Sequence, residues 1–164
     1  MPFAIAEVFG PEDVEIARKL FRAYAASLPF SLDFQGFDAE LAGLPAPYSP
    51  PGGCLLVATQ GDATIGIVGL KPLMPGVAEI KRLYVLPDAR GAGLGRILTE
   101  RAIAEARVKS YERVRLDTHR PSMASAIALY RSLGFVEIAP YGPDLGGAIA
   151  FFEKHLKEPN TCAS

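Results

Sequence analysis

Six residues, Arg90-Gly91-Ala92-Gly93-Leu94-Gly95, stand where a strand-like run ending at Val85 gives way to a helix-like run starting at Leu94. Backbone N–H groups at a helix N-terminus have no intrahelical partner, and the helix dipole adds partial positive charge there. Glycine lets an anion approach the backbone closely. The junction is therefore suited to a phosphate, and Arg90 and Arg96 flank it with cations able to make charge-assisted contacts. The dinucleotide fingerprint GxGxxG fails, because the position due for its third glycine is Arg96. The GxxxxGK[ST] phosphate loop is absent as well. Taken alone, the segment also suits a purely structural helix start.

The flanking elements follow from hydrophobic periodicity. Residues 3–9 read as a first strand. Gly10-Pro11-Glu12-Asp13 opens a helix whose apolar face is Val14, Ala17, Phe21, Tyr24 and Leu28, ended by Pro29. Residues 31–53 are the least regular, with a short helix over 37–44 and a loop rich in proline and glycine. Strands are expected at 55–59, 64–70 and 77–85, the first two joined by a turn at 60–62. The period then becomes helical, with Leu94, Leu98, Ala102 and Ala106 on one face and Ile97 beside them. A strand at 114–118 follows. A second amphipathic helix carries Ala126, Leu129, Tyr130 and Leu133, with Ser122 as its N-cap and Gly134 just past its end. Residues 135–138 and 148–152 close the pattern as two strands. The order β-α-(α)-β-β-β-α-β-α-β-β is mixed α/β in one unit.

Composition limits what such a unit does. The 164 residues fit one domain, 1–164, with a polar tail at 157–164. A net charge of -1 gives no general pull on nucleic acid or anionic membrane. Two cysteines, Cys54 in an apolar run and Cys162 in the tail, do not make a disulfide framework or a zinc cluster, so no metal is expected. Residues 1–10 lack a basic n-region, and no apolar run approaches the ~18 residues of a membrane span. A cytoplasmic, reducing location is expected, with no nucleic-acid or membrane partner.

A second motif narrows the ligand. Arg90-x-x-Gly93-x-Gly95 follows a strand ending Arg82-Leu83-Tyr84-Val85, and Ala126-x-x-Leu129-Tyr130-x-x-x-Gly134-Phe135 lies a strand and a helix downstream. Together they resemble the [RQ]xxGx[GA] pyrophosphate loop and the AxxLYxxxGF segment of the GNAT superfamily, the acetyl-CoA-dependent N-acetyltransferases. The matching element order spans nearly the whole chain. The resemblance implies an α/β (α+β) GNAT fold. This is a central mixed, mostly antiparallel twisted sheet of about seven strands, splayed between strands 4 and 5 and flanked by about four helices.

The resemblance also implies roles. Acetyl-CoA is the cosubstrate, with its phosphates on Arg90, Gly91, Ala92, Gly93, Leu94, Gly95 and Arg96. Its pantetheine arm lies along the fourth strand, paired with backbone groups around Leu83, Tyr84 and Val85. Acetyl transfer needs an amine stripped of a proton, a donor for the developing oxyanion and a proton for the departing thiolate. Tyr130 matches the tyrosine that often protonates the thiolate, although the same ring suits the apolar face of its helix. Glu79 is the candidate general base, since some relatives place a glutamate there and burial raises a glutamate's pKa. The alternatives are an exposed or ion-paired Glu79, the latter with Lys81 or Arg82, or deprotonation through water. His119, just past the fifth strand, is a weaker candidate. Met123 departs from the family pattern, which often has an asparagine there touching the cofactor; that role is not carried over, and Ser122 or Ser125 would have to substitute.

The acceptor side is less defined. The resemblance assigns it to 31–53, with Asp33, Phe34, Asp38, Glu40 and Tyr48, and to 141–146, with Asp144. Acids there suit a cationic amine and equally suit a solvated surface. The leading expectation is acetylation of a primary amine on a small molecule, by direct attack in a ternary complex. The alternatives are a protein lysine or N-terminal acetyltransferase, a non-catalytic CoA-binding sensor, and a nucleotide-binding module on another fold. A homodimer is compatible with the family's habits.

Overall fold

The computed structural model describes residues 3–156. Its framework is one seven-stranded sheet with strand order β1-β2-β3-β4-β5-β7-β6. The strands are β1 (Ala4–Glu7), β2 (Cys54–Gln60), β3 (Ala63–Met74), β4 (Val77–Val85), β5 (Arg113–His119), β6 (Val136–Ile138) and β7 (Ile149–His155). The helices are α1 (Gly10–Ser27), α2 (Phe37–Gly43), α3 (Leu94–Val108) and α4 (Ala124–Ser132), with a 3-10 turn at Asp33–Gln35. Every neighbouring pair is antiparallel except β4 and β5, which are parallel.

Both faces of the sheet are covered, so β2 is a near-continuous apolar run instead of a strict alternation. Cys54, Leu56 and Ala58 of β2 pack with Leu94, Leu98, Ala102 and Ala106 of α3 and with Tyr130 and Phe135. Leu55 and Val57 pack the other way, with Val14, Ala17, Leu20 and Phe21 of α1, Phe37 of α2 and the buried Tyr48. Burial pushes the Cys54 thiol up to about 12, the behaviour of an inert core residue; Cys162 lies outside the described residues. Among the described residues no helix is long and apolar enough to cross a membrane.

Three local expectations need correction. β3 continues to Met74 because β4 pairs with it as far as Met74↔Val77, despite the Lys71-Pro72 step. Ile97, expected beside the apolar face of α3, is 37% exposed and does not join the core. Ser122 does not cap α4: the N-cap is Met123, and the Ser122 hydroxyl is bonded to His119 Nδ1 at 2.7 Å.

Candidate active site

The site is made by the parting of two parallel strands. β4 and β5 are in register only over Val77↔Arg113, Ala78↔Val114 and Glu79↔Arg115. Beyond that, β5 stays with β7 to its end, while β4 stays with β3. A bulge in β4 accompanies the divergence. Between the pairs Gly69↔Lys81 and Ile67↔Tyr84, β3 spends one residue and β4 spends two, Arg82 and Leu83. Arg82 has φ 61°, a left-handed conformation uncommon outside glycine. The Arg82 guanidinium is buried and bidentate to Glu40 of α2, at 2.8 and 3.0 Å, and donates to Gln35 at 2.8 Å. Burial alone would lower its pKa; the Glu40 hydrogen bonds and charge outweigh that and hold it above its ordinary value.

A cavity of about 60 Å³ opens in the gap, lined by Leu83, Leu116, Thr118, Met123, Ala126 and Tyr130 among others. Tyr130 presents its ring to Phe135 and Phe152 and its side chain to the cavity, so core packing and site lining coexist. Burial, with smaller contributions from Tyr24 and Asp117, raises its pKa well above the ordinary tyrosine value. The hydroxyl therefore keeps its proton throughout the neutral range, as a proton donor must.

The glycine loop adjoins this gap. Gly91 and Gly93 have φ of 93° and 79°, and a Cβ added to either would meet nothing within 4 Å. Gly93 is the N-cap of α3 and supplies no side-chain cap, so the first-turn N–H groups are left for an outside acceptor. Open space in front of unpaired donors is what a pyrophosphate requires, and in this respect the residues fit the group. Leu94 anchors the helix start in the core, leaving its backbone for the loop. Arg90 folds back, donating from Nε to the Val85 carbonyl at 3.0 Å with its guanidinium over the Tyr84 ring. Arg96 is engaged away from the loop by Glu100 at 3.1 Å and Ser132 at 3.0 Å.

A second cavity, of about 220 Å³, is lined by Gln35, Glu40, Lys71, Glu79 and Tyr141 among others. Lys81, Arg82 and Asp117 line both cavities. Lys81 reaches from β4 across the split to Asp117 of β5 at 3.2 Å and donates to Gln35 at 3.2 Å. Glu79 is buried. Its partners are Tyr141, whose hydroxyl donates to Oε2 at 2.7 Å, and its cross-strand neighbour Lys71, at 3.6 Å from Oε1; Lys81 and Arg82 are committed elsewhere. Burial, then the Glu79 charge, keeps Tyr141 strongly in its neutral, donating form.

The expected acceptor residues are not all here. Asp33 and Asp38 are exposed, Tyr48 is core, and Asp144 holds its own loop by accepting from Gly146 at 3.2 Å. Glu40 alone of those acids lines the cavity. His119 lies tilted against Phe30, with ring centroids 4.7 Å apart, and lines neither cavity. Gln35, Lys71 and Asp117 were not foreseen as site residues. Their only sequence signal is position: Lys71 opposite Glu79, and Asp117 near the end of the fifth strand. Among the described residues no group of three or more His, Cys, Asp or Glu side chains could hold a metal.

Comparison with known proteins agrees with this geometry. The model of the acetyltransferase (GNAT) family matches residues 17–135. An uncharacterized N-acetyltransferase of Schizosaccharomyces pombe is 36% identical over 140 residues, covering 84% of this chain and 85% of that protein. A GNAT-family acetyltransferase from Staphylococcus aureus Mu50 superposes with TM-score 0.77 at 21% identity, over 95% of this chain and 100% of that one. The yncA protein of Salmonella typhimurium, solved with its cofactor acetyl-CoA, superposes with TM-score 0.70 at 21% identity, over 99% and 100%.

Proposed function

The chain belongs to the GNAT family of N-acetyltransferases, and from that premise we propose that it moves the acetyl group of acetyl-CoA directly to a primary amine of a small molecule while both are bound. One observation carries the reading: Lys81, Arg82 and Asp117 line two cavities, one also lined by Tyr130 and the other by Glu79. Donor and acceptor would each occupy one cavity and meet at those three shared residues. Holding both in one geometry supplies much of the rate.

When bound, acetyl-CoA supplies the activated acetyl thioester. The chain does the rest. The backbone of Arg90, Gly91, Ala92, Gly93, Leu94 and Gly95 holds phosphate, with Arg90 adding charge. Arg96 contributes its field unless it leaves Glu100 and Ser132. Leu83, Tyr84 and Val85 offer backbone groups on the β5 side that no strand occupies. Tyr130 holds the proton for the sulfur. Glu79 receives the proton of the amine, directly or through water, with Tyr141 and Lys71 stabilising its charged form.

A library of small primary amines, peptides and polyamines, assayed with acetyl-CoA by thiol release, tests this. Release driven by small primary amines above the hydrolysis background supports the reading. Release driven by peptides alone, or by no member, refutes it.

A further inference from the structure

The acceptor cavity carries more charge than amine acetylation alone demands. Six charged side chains line it: Lys71, Lys81, Arg82, Glu40, Glu79 and Asp117. Their formal charges cancel. They are unequally committed, however. Arg82 is spent on Glu40 and Gln35. Lys81 uses two of its three N–H bonds on Asp117 and Gln35. Lys71 stands 3.6 Å from Glu79, outside hydrogen-bond length, so its ammonium has donors to give. Asp117 takes Lys81 on Oδ2, and among the described residues Oδ1 has no partner.

A plain amine suits this lining poorly. It would bring a net positive charge to a balanced cavity whose carboxylates already have cations or a hydroxyl, and it would leave the hydrogen-bond donors of Lys71, whose ion pair with Glu79 spans 3.6 Å, unused. A charge brought into such a lining without a balancing partner is unfavourable. A molecule carrying both an ammonium and a carboxylate enters neutral and answers both deficits.

We propose that the acceptor is an amino-acid-like zwitterion, its carboxylate held by Lys71 and its amine held between Asp117 and Glu79, beside the lining that the two cavities share. The proposal rests on the acetyl-transfer reading above and narrows its substrate. The chemistry balances without a further reactant. The ammonium first gives one proton to Glu79 or water; a new N–C bond then forms as the C–S bond breaks, the sulfur takes the proton of Tyr130, and the second proton leaving the nitrogen restores Tyr130 through water.

The experiment compares amino acids with their amides, methyl esters and decarboxylated amines, each with saturating acetyl-CoA, by thiol release. For the best amino acid, kcat/KM should exceed that of its amide by about tenfold or more, the difference lying mainly in KM, as a ground-state charge contact requires. Lys71→Met should bring that ratio towards one, and Lys71→Arg should keep most of it. The ratio is internal to each variant, so partial misfolding does not mimic the result. Amides or decarboxylated amines used as well as the acids, or a ratio unmoved by Lys71→Met, overturn the zwitterion proposal while leaving small-amine acetylation standing. Turnover with neither set overturns both.

Discussion

A tyrosine in apolar surroundings keeps its proton far above neutral pH, and Tyr130 is such a residue. The same burial that makes the ring a core residue keeps the hydroxyl protonated, and in the proposed mechanism that proton goes to the sulfur. Its replacement separates the two roles. Tyr130→Phe keeps the ring and removes the proton, so kcat should fall on the order of 10²-fold while acetyl-CoA affinity changes little. Steady-state kinetics with calorimetric binding checks this. An equal loss of kcat and affinity, or loss of folding, would make the tyrosine chiefly structural.

At the scale of elements, the β4 bulge is the feature on which the site depends. The left-handed Arg82 is held by α2 through Glu40, whose side chain is only 11% exposed. Arg82→Met should destabilise the protein by about 3–5 kcal/mol, because it strands a buried carboxylate. Adding Glu40→Gln should recover part of that loss, and the coupling is measurable as a double-mutant cycle in denaturant unfolding. These ties also show what the sequence can and cannot disclose. β4 was legible to the residue, Val77–Val85, because apolar alternation runs into Leu86-Pro87. The α3 start was legible because glycines precede a change of period. The bulge was not, since a left-handed arginine carries no local signal where glycine would. Nor was the cluster of Gln35, Lys71, Lys81 and Asp117, whose members come from four segments and meet only through strand pairing and strand parting. Ser122 shows the opposite error: a residue chemically suited to cap a helix was taken by His119.

The whole molecule encloses several weak acids in apolar surroundings. Tyr48 and Tyr130 have raised pKa values, chiefly through burial, as has Cys54 at about 12. The unfolded chain releases these protons from about pH 8.5 for cysteine and about pH 10 for tyrosine. The folded chain retains them to higher pH. The unfolded state thus binds fewer protons in that window, and stability falls as pH rises through it. Each group contributes a slope of at most about 1.4 kcal/mol per pH unit. Urea unfolding between pH 7 and 11 should show a flat region that steepens above about pH 9. A stability that stays level to pH 11 would mean these groups are not held protonated by the fold.

The glycine loop and the strand gap make the same claim at every scale, that acetyl-CoA lies across the start of α3 and along β4. Calorimetric titration of CoA into the protein and into Gly93→Val tests that claim most directly. The wild-type chain should bind at one site. The variant, with a β-branched side chain in the open space before the first-turn N–H groups and at a φ of 79°, should bind about tenfold or more weakly while still melting cooperatively. Absence of wild-type binding, or equal binding by a folded Gly93→Val protein, would contradict it.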